Sequence, residues 1–251
     1  AFEQIKTERT ARLTYKNDRQ CETEAELVII SRIHPISFLT HTSNLKQITS
    51  KLNYRCPIVF CSEYIDQAEI SYTCIDDIEA MSKATSYTLS LGRKRVAFLN
   101  SSLKHNYAKK REIGFRETMK KNKIEIDENL IAHLSSVTYN LAYSYTLHLL
   151  EQDNPPDVIL CVSDVYAIGA LKACKKKGIR VPEDCAVIGF DNIDLAVMTD
   201  PPLTTIDQPS YQLGYQASEL LVEKIKFPDT QNKKIVLETQ LIVRESTPIT
   251  I

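Results

Sequence analysis

The fold is most strongly constrained by a regular alternation of short β-rich runs with longer helical patterns, which begins near Glu26. Strands are predicted at residues 27–30, 57–61, 72–75, 95–99, 130–134, 158–162, 185–190 and 204–206, with a strand pair or one bent strand at 235–243. Helices are predicted at residues 44–52, 78–91, 110–122, 139–152, 165–177 and 211–226. Such alternation is typical of parallel α/β structure, because parallel neighbours need crossover connections.

Capping residues support two of these helices. Ser163 and Asp164 precede the helix at 165–177, which ends in three lysines and Gly178. Gly92 stands just after the helix at 78–91. Ser and Asp are favoured at the N-cap and Gly at the C′ position, so both helices have defined ends.

Residues 1–25 do not follow this alternation. Residues 1–16 are polar, with Phe2, Ile5 and Leu13 at helical spacing and no strand before them. This spacing predicts a helix at the start of the chain.

Length and charge narrow the class of protein. The 251 residues are 43% apolar and 25% charged, with a net charge of −1, which is typical of a globular protein with one large domain or two lobes. Without an excess of Lys and Arg, nucleic-acid binding by this stretch is not expected. The longest apolar runs, at 57–61 and 158–162, are too short to span a bilayer, and no signal segment opens the chain. We expect a cytoplasmic protein, or a mature or truncated fragment.

The sequence offers little for metal, redox or catalytic chemistry. No CxxC pair occurs among Cys21, Cys56, Cys61, Cys74, Cys161, Cys174 and Cys185. Buried thiols in a reducing compartment are therefore expected, with no metal and no cofactor. The phosphate-binding glycine loops and the GxSxG nucleophile motif are absent. We expect no enzyme, although a nucleoside or sugar hydrolase that uses an aspartate is the competing class.

A topological rule selects candidate binding residues without any motif. In open parallel sheets, ligands bind beyond the carboxyl ends of the strands. Polar pairs directly follow predicted strands at Ser31-Arg32, Ser62-Glu63, Asn100-Ser101, Ser163-Asp164 and Asp191-Asn192. These pairs are expected to lie along one edge of a sheet.

Each candidate carboxylate has a structural alternative. Asp191 could accept hydrogen bonds from the vicinal hydroxyls of a sugar or ribose, or it could form an Asx turn. Asp164 could bind ligand or cap the next helix, and Ser163 could do both. Asp76, next to Asp77, could contact ligand at the cleft or cap the helix at 78–91.

A basic cluster and several aromatic residues complete the candidates. Residues 109–111 open a predicted helix, where the helix dipole disfavours Arg111 and so suggests a partner; a solvated basic turn is the alternative. Tyr64, Tyr107, Tyr139 and Phe190 could each stack on a flat ligand ring or belong to the core.

A series of motifs spanning roughly residues 72–247 resembles the LacI/GalR transcriptional regulators. These are LGRKRVA at 91–97, RxxGF at 111–115, PPDVI at 155–159, SDxxAxGAL at 163–171, VPED at 181–184, VIGFDN at 187–192, PLTTIxQP at 202–209 and LIVREST at 241–247. Within the family, residues 189–195 and 200–206 are most similar to the cytidine-repressor subfamily.

The resemblance implies a two-lobed periplasmic-binding-protein type I fold, each lobe a parallel sheet flanked by helices, with the effector in the cleft. Residues 1–101 and 207–231 are assigned to the N-terminal subdomain, and 102–206 and 232–251 to the C-terminal one. The family's opening strand, helix and strand cannot be recognised in residues 1–25, and no helix-turn-helix is expected in this chain.

Residue by residue, the resemblance implies that Arg111 and Asp191 contact the effector. It implies a polar position at Ser163, and it places His105 and Tyr107 in a loop where purine-binding relatives contact their effectors.

The resemblance further implies the effector-sensing domain of a repressor that binds a small ligand, a nucleoside such as cytidine. It implies a homodimer, operator DNA bound only through a helix-turn-helix outside this chain, and the cyclic-AMP receptor protein as a neighbouring partner. A periplasmic-type solute-binding protein for a sugar or nucleoside is the alternative.

Overall fold

The computed structural model describes the backbone of residues 11–16 and 22–27, and residues 57–64 and 69–248 in full. The chain forms two compact units, one of Ala1–Ile75 with Pro209–Glu238 and the other of Asp76–Gln208 with Thr239–Ile251. The predicted helix at 44–52 lies outside the described residues, as does most of the predicted strand at 27–30.

The strands and helices alternate as expected over the described chain. The strands are β1 (Ala11–Lys16), β2 (Glu22–Leu27), β3 (Val59–Cys61), β4 (Ser71–Ile75), β5 (Val96–Ser101), β6 (Ile131–Leu134), β7 (Val158–Cys161), β8 (Ala186–Asp191), β9 (Thr204–Asp207), β10 (Lys234–Leu237) and β11 (Gln240–Ile242). The helices are α1 (Asp77–Ser90), α2 (Asn106–Lys121), α3 (Tyr139–Leu150), α4 (Asp164–Lys177) and α5 (Ser210–Lys226), with 3-10 turns at Glu128–Leu130 and Asp194–Val197.

The first unit contains a parallel sheet in the order β10-β4-β3 and an antiparallel hairpin of β1 and β2. Helix α5 packs against β3 and β4. The buried side chains Phe60, Tyr72 and Cys74 form a cluster on these two strands, and Tyr64 stacks on Tyr72 with ring centroids 4.2 Å apart. Tyr64, a candidate for ligand stacking, is thus engaged with a core ring.

The second unit is built on a six-stranded sheet in the order β11-β9-β8-β7-β5-β6. All neighbours are parallel except β11, which pairs antiparallel with β9 at the edge. Central strands β5, β7 and β8 are buried almost throughout, since helices flank the sheet. This confirms the α/β fold class with parallel sheets.

Close helix packing in the second unit depends on Gly114. A Cβ at this position of α2 would lie 2.3 Å from the backbone oxygen of Ile78 in α1. Beneath this contact, Phe115 stacks on Phe98 of β5 with ring centroids 4.8 Å apart, and both rings are fully buried. The RxxGF motif therefore holds α2 against both α1 and the sheet.

The predicted caps are confirmed. Gly92 and Gly178 adopt φ values of 77° and 70° after their helices, a left-handed conformation that Gly adopts at little cost. Ser163 Oγ accepts a hydrogen bond from the backbone N–H of Tyr166 at 3.4 Å.

Three expectations are corrected. Residues 11–16 form a strand, because Leu13 and Tyr15 alternate with polar residues and pair with β2, so the predicted opening helix is wrong there. The stretch 235–243 is neither a strand pair nor one bent strand, since β10 and β11 join different sheets. The subdomain boundary at residue 101 is wrong, because β5 pairs with β6 and β7; the division falls after Ile75 and, on the return, after Gln208 and Glu238.

Within residues 57–64 and 69–248, no helix combines the length and apolar composition needed to cross a membrane. In the same part of the chain, no group of His, Cys, Asp or Glu side chains could hold a metal ion. Five cysteines there are buried, as expected: Cys61, Cys74, Cys161, Cys174 and Cys185. Cys21 and Cys56 lie outside the described residues.

Candidate functional site

Polar side chains gather at the carboxyl ends of β5, β7 and β8 in the second unit. The chain runs from β5 outward to the edge strand β6 and returns to β7 on the other side of β5. Such a reversal leaves a crevice beyond the strand ends, which is where open α/β sheets bind ligands. The topological rule therefore points to Ser101, Ser163 and Asp191 in this unit.

Asp191, the last residue of β8, has a strained backbone. Its φ is 107°, and the following Asn192 has a φ of 52°, a region that L-residues adopt at a cost. Asn192 is fixed on both sides: its Nδ2 donates to Asp207 Oδ1 at 2.8 Å, and its Oδ1 accepts from Arg244 at 2.7 Å. These bonds hold the strained turn, and the Asp191 side chain keeps 16% of its surface exposed.

Arg111 lies beside Asp191 and is fully buried. Its Nε donates to Asp77 Oδ1 at 2.9 Å, and one terminal nitrogen donates to the backbone oxygen of Val162. The other terminal nitrogen lies 4.0 Å from Asp191 Oδ1. The guanidinium carbon sits 3.2 Å from the centroid of the Phe190 ring. Three parts of the fold, the start of α1, the end of β7 and the end of β8, thus surround one guanidinium.

The predicted position of Arg111 in the first turn of its helix is wrong. Helix α2 begins at Asn106, so Arg111 lies beyond the first turn, where the dipole effect has faded. The solvated alternative is also wrong for this residue, since burial and Asp77 define its surroundings.

Asp164 is fully buried at the start of α4, behind Asp191. Its carboxylate accepts from the backbone N–H of Ile193 at 2.8 Å and from Thr205 Oγ1 at 2.6 Å. Burial, followed by the negative charge of Asp191, raises the pKa of Asp164 to about 7. Gly189 makes room for it, because a Cβ there would lie 2.1 Å from Asp164 Oδ1. Asp164 therefore supports the loop after β8.

The aromatic candidates contribute differently. The Tyr107 hydroxyl accepts from Ser101 Oγ at 2.8 Å, its ring stacks on His105 at 5.4 Å, and the Arg111 guanidinium carbon lies 5.4 Å from its centroid. Phe190 is fully buried beneath Arg111, so its ring supports the guanidinium. Tyr139 is exposed and stacks on Tyr143 of the same helix.

The capping alternatives are confirmed for two candidates. Asp76 is exposed, and its Oδ1 accepts from the backbone N–H groups of Ile78 and Glu79 at 3.0 Å each. Ser163 caps α4 and is buried close to the end of β7. The structure thus places Asp191, Tyr107 and Phe190 around Arg111, with His105 stacked on Tyr107, and it leaves Asp76 at a helix end.

Sequence reasoning did not identify the roles of two residues that shape this site. Asp77, rather than Asp76, supplies the carboxylate that binds Arg111. Arg244 braces the strained turn through Asn192 and also donates to the backbone oxygen of Leu203 at 2.7 Å. The Asp76-Asp77 pair offered a signal for the first, because one aspartate is enough to cap a helix.

Comparisons with known proteins show to which family this chain belongs. A family model described as "Periplasmic binding protein-like domain" matches residues 85–247. The HTH-type transcriptional repressor CytR of Escherichia coli (strain K12) is 30% identical over 230 residues, which cover 92% of this chain and 67% of that protein.

Solved structures extend the comparison. The complex of the transcriptional regulator CelR with cellobiose is 29% identical with a TM-score of 0.77, covering 88% of this chain and 64% of that one. A regulatory protein of the LacI family from Chloroflexus aggregans is 25% identical with a TM-score of 0.76, covering 88% of this chain and 76% of that one. This chain therefore spans about two thirds to three quarters of each of these proteins.

These similarities distinguish between the three classes that the sequence left open, which are a transcriptional regulator, a solute-binding protein and an enzyme. The relatives are transcriptional regulators, so the chain is a regulatory domain and not an enzyme, and the solute-binding alternative gives way. The matched family model and the identity to CytR show that this chain belongs to the LacI/GalR family of transcriptional regulators, as an effector-binding domain.

Proposed function

We propose that this domain senses a nucleoside such as cytidine at the carboxyl ends of β5, β7 and β8, and that the effector modulates DNA binding by the complete protein. The proposal rests above all on the pairing of Asp191 with Arg111, whose charged groups lie 4.0 Å apart in a fixed arrangement. Similarity to CytR supports the effector class.

The two side chains have complementary hydrogen-bonding roles. The Asp191 carboxylate can accept from two vicinal hydroxyls, as the ribose of a nucleoside presents them. The Arg111 guanidinium can donate to a hydroxyl or carbonyl oxygen of the same ligand. Because Asp77, Val162 and the Phe190 ring already hold Arg111, little side-chain entropy is lost when the effector binds.

A sugar is the second candidate effector. Vicinal hydroxyls satisfy Asp191 equally well on a pyranose ring, and the similar regulator CelR has been solved with cellobiose. A half-buried Tyr107 beside Arg111 suits either ligand, because a tyrosine ring can stack on a base or on the apolar face of a sugar.

Calorimetric titration of the chain with cytidine, uridine, adenosine, ribose and cellobiose tests the proposal. We expect saturable binding of cytidine, and Asp191→Ala should weaken it about 100-fold, because a charge-assisted hydrogen bond contributes about 1.5–3 kcal/mol. The matched control is Asp153→Ala, which removes the same charge from an exposed position. Equal losses in the two variants would contradict the role of Asp191, and binding of cellobiose alone would favour the sugar.

Regulation requires that the effector bind one state of the domain more tightly than another. An effector shifts an equilibrium only by its difference in affinity for the two states. The strained turn at Asp191 is a suitable element, since it joins β8 directly to the loop that Asp164 and Arg244 brace. Operator binding through a helix-turn-helix, a cytoplasmic location and contact with the cyclic-AMP receptor protein stay predictions.

We propose in addition that the chain forms a homodimer through the 3-10 turn Asp194–Val197 and the residue after it. Leu195, Val197 and Met198 are 55%, 54% and 74% exposed, and exposed apolar patches of this kind mark interfaces. Sedimentation of the native chain should show a dimer that Val197→Asp weakens. Ile113→Asp, on the exposed face of α2, is the control; a native monomer at all concentrations would contradict the proposal.

A further inference from the structure

The positive charge of Arg111 is largely neutralised inside the protein. Its Nε binds Asp77 Oδ1 at 2.9 Å, while the two side chains are 0% and 6% exposed. Buried from water, such a pair interacts far more strongly than the same pair on a surface. An effector that reaches this guanidinium therefore meets a hydrogen-bond donor whose charge is already balanced.

Asp191 places a second carboxylate beside Arg111. Its Oδ1 lies 4.0 Å from the Arg111 terminal nitrogen, so the carboxylates of Asp77 and Asp191 both lie close to this guanidinium. Asp164 is close enough that the charge of Asp191 contributes to its raised pKa. These two carboxylates would repel a further anion at this position, whereas a neutral polyhydroxyl compound would meet donors and acceptors.

Asp77 and its neighbour Asp76 have different roles. Asp76 caps α1 from an exposed position, with Oδ1 bound to two backbone N–H groups. Asp77, the first residue of the helix, is 5% exposed and faces Arg111 on α2. The two aspartates therefore have the same charge and adjacent positions but differ in burial and partner.

We propose that Asp77 sets the charge selectivity of the effector site: by neutralising Arg111 it restricts the site to uncharged effectors, such as a nucleoside, and excludes their phosphate esters. This inference rests on the proposed effector site. Removal of the Asp77 charge weakens the neutralisation of the Arg111 cation, and an arginine whose charge is less neutralised binds phosphate oxygens more strongly.

Paired ligands test the inference. Cytidine with cytidine 5′-monophosphate, and ribose with ribose 5-phosphate, differ by one phosphate group each. Calorimetric titrations use the native chain, Asp77→Asn, Asp77→Glu and Asp76→Asn, each checked for cooperative unfolding. Asp76→Asn is the matched control, since it makes the same change in charge one residue away and Asn still caps a helix.

The native chain is expected to bind the uncharged member of a pair at least about 100-fold more tightly than its phosphate ester. Asp77→Asn should reduce this ratio at least about tenfold, because one negative charge is removed near the ligand. Asp77→Glu, which keeps the charge, and Asp76→Asn should retain the ratio. A purely structural role of Asp77 would weaken both ligands equally and leave the ratio unchanged.

Other outcomes separate the two proposals. Tight binding of a phosphate ester by the native chain would overturn the selectivity while leaving the effector site in place. Binding of neither member of either pair would overturn the proposed nucleoside or ribose effector and, with it, the role of Asp77. Should Asp77→Asn not fold, a ratio below about tenfold in the native chain, or a changed ratio in Asp77→Glu, would still contradict the inference.

Discussion

Helix α2 carries two arginines with ion pairs of similar length and very different surroundings. Arg111 binds Asp77 at 2.9 Å, and these side chains are 0% and 6% exposed. Arg116 binds Glu128 at 2.6 Å, and these side chains are 35% and 66% exposed. Arg116 also binds Glu112, which contacts His133 and Asn100 on the adjacent strands.

The difference shows that burial, rather than distance, decides what an ion pair does. Water screens the pair at Arg116, so its contribution to stability is small. Water is excluded from the pair at Arg111, so removal of either partner leaves a buried charge. The pair of Arg116 with Glu128 lies at the surface, whereas the pair of Arg111 with Asp77 is part of the candidate site.

The largest effect is expected for Arg111→Met. The variant leaves Asp77 buried without its cation, so the free energy of unfolding should fall by about 3–5 kcal/mol. Urea denaturation measures this loss. Addition of Asp77→Asn should restore much of it, and a loss of less than about 1 kcal/mol would place the Arg111 pair in the same class as a surface pair.

A smaller, pH-dependent effect is expected at Asp164, which is buried behind the same site. Its pKa of about 7 in the folded state lies above the usual 3.8, so the folded state holds the proton more tightly. Its contribution to stability is complete below the usual pKa and is lost as the pH rises through about 7. Between pH 5 and 8 the loss should be about 2–3 kcal/mol, at about 1.4 kcal/mol per pKa unit.

Asp164→Asn isolates this effect. The free energy of unfolding of the native chain, minus that of the variant, should fall over this pH range. The exposed Asp194→Asn should show no such difference. A pH-independent difference for Asp164→Asn would mean that the carboxylate titrates normally despite its burial.

The smallest effect is expected for Glu128→Ala, since Arg116 keeps its second partner, Glu112. Loss of the exposed pair should lower the free energy of unfolding by about 0.2–1 kcal/mol, and less at high salt, because the interaction is screened. A double-mutant cycle with Arg116→Ala measures the coupling. Coupling above about 2 kcal/mol would remove the contrast between the two arginines.

Much of the fold could be predicted, because periodicity and caps are local signals. The helix at 165–177 was found almost to its ends, since Ser163 and Gly178 mark them. The start of α2 was missed because His105 makes no side-chain cap bond there, so no local signal marked it. The hairpin of β1 and β2 was missed because the helical spacing of Phe2, Ile5 and Leu13 was given more weight than the apolar-polar alternation of residues 11–16.

For the candidate site, the sequence by itself determined which residue types stand at the strand ends. The position of Asp191 after an apolar strand, and of Arg111 before Gly114 and Phe115, followed from local pattern and family resemblance. Such signals can be read from the sequence because each depends only on neighbours within a few residues.

Only the tertiary structure decided what these residues do together. The pair of Arg111 with Asp77 joins positions 34 residues apart, and the bond of Asp164 to Thr205 joins positions 41 apart. Burial removes water from both contacts. Loss of hydration raises the pKa of Asp164, and the buried carboxylate of Asp77 balances the charge of Arg111. Neither effect has a local signal, because desolvation depends on which distant segments pack around a charge.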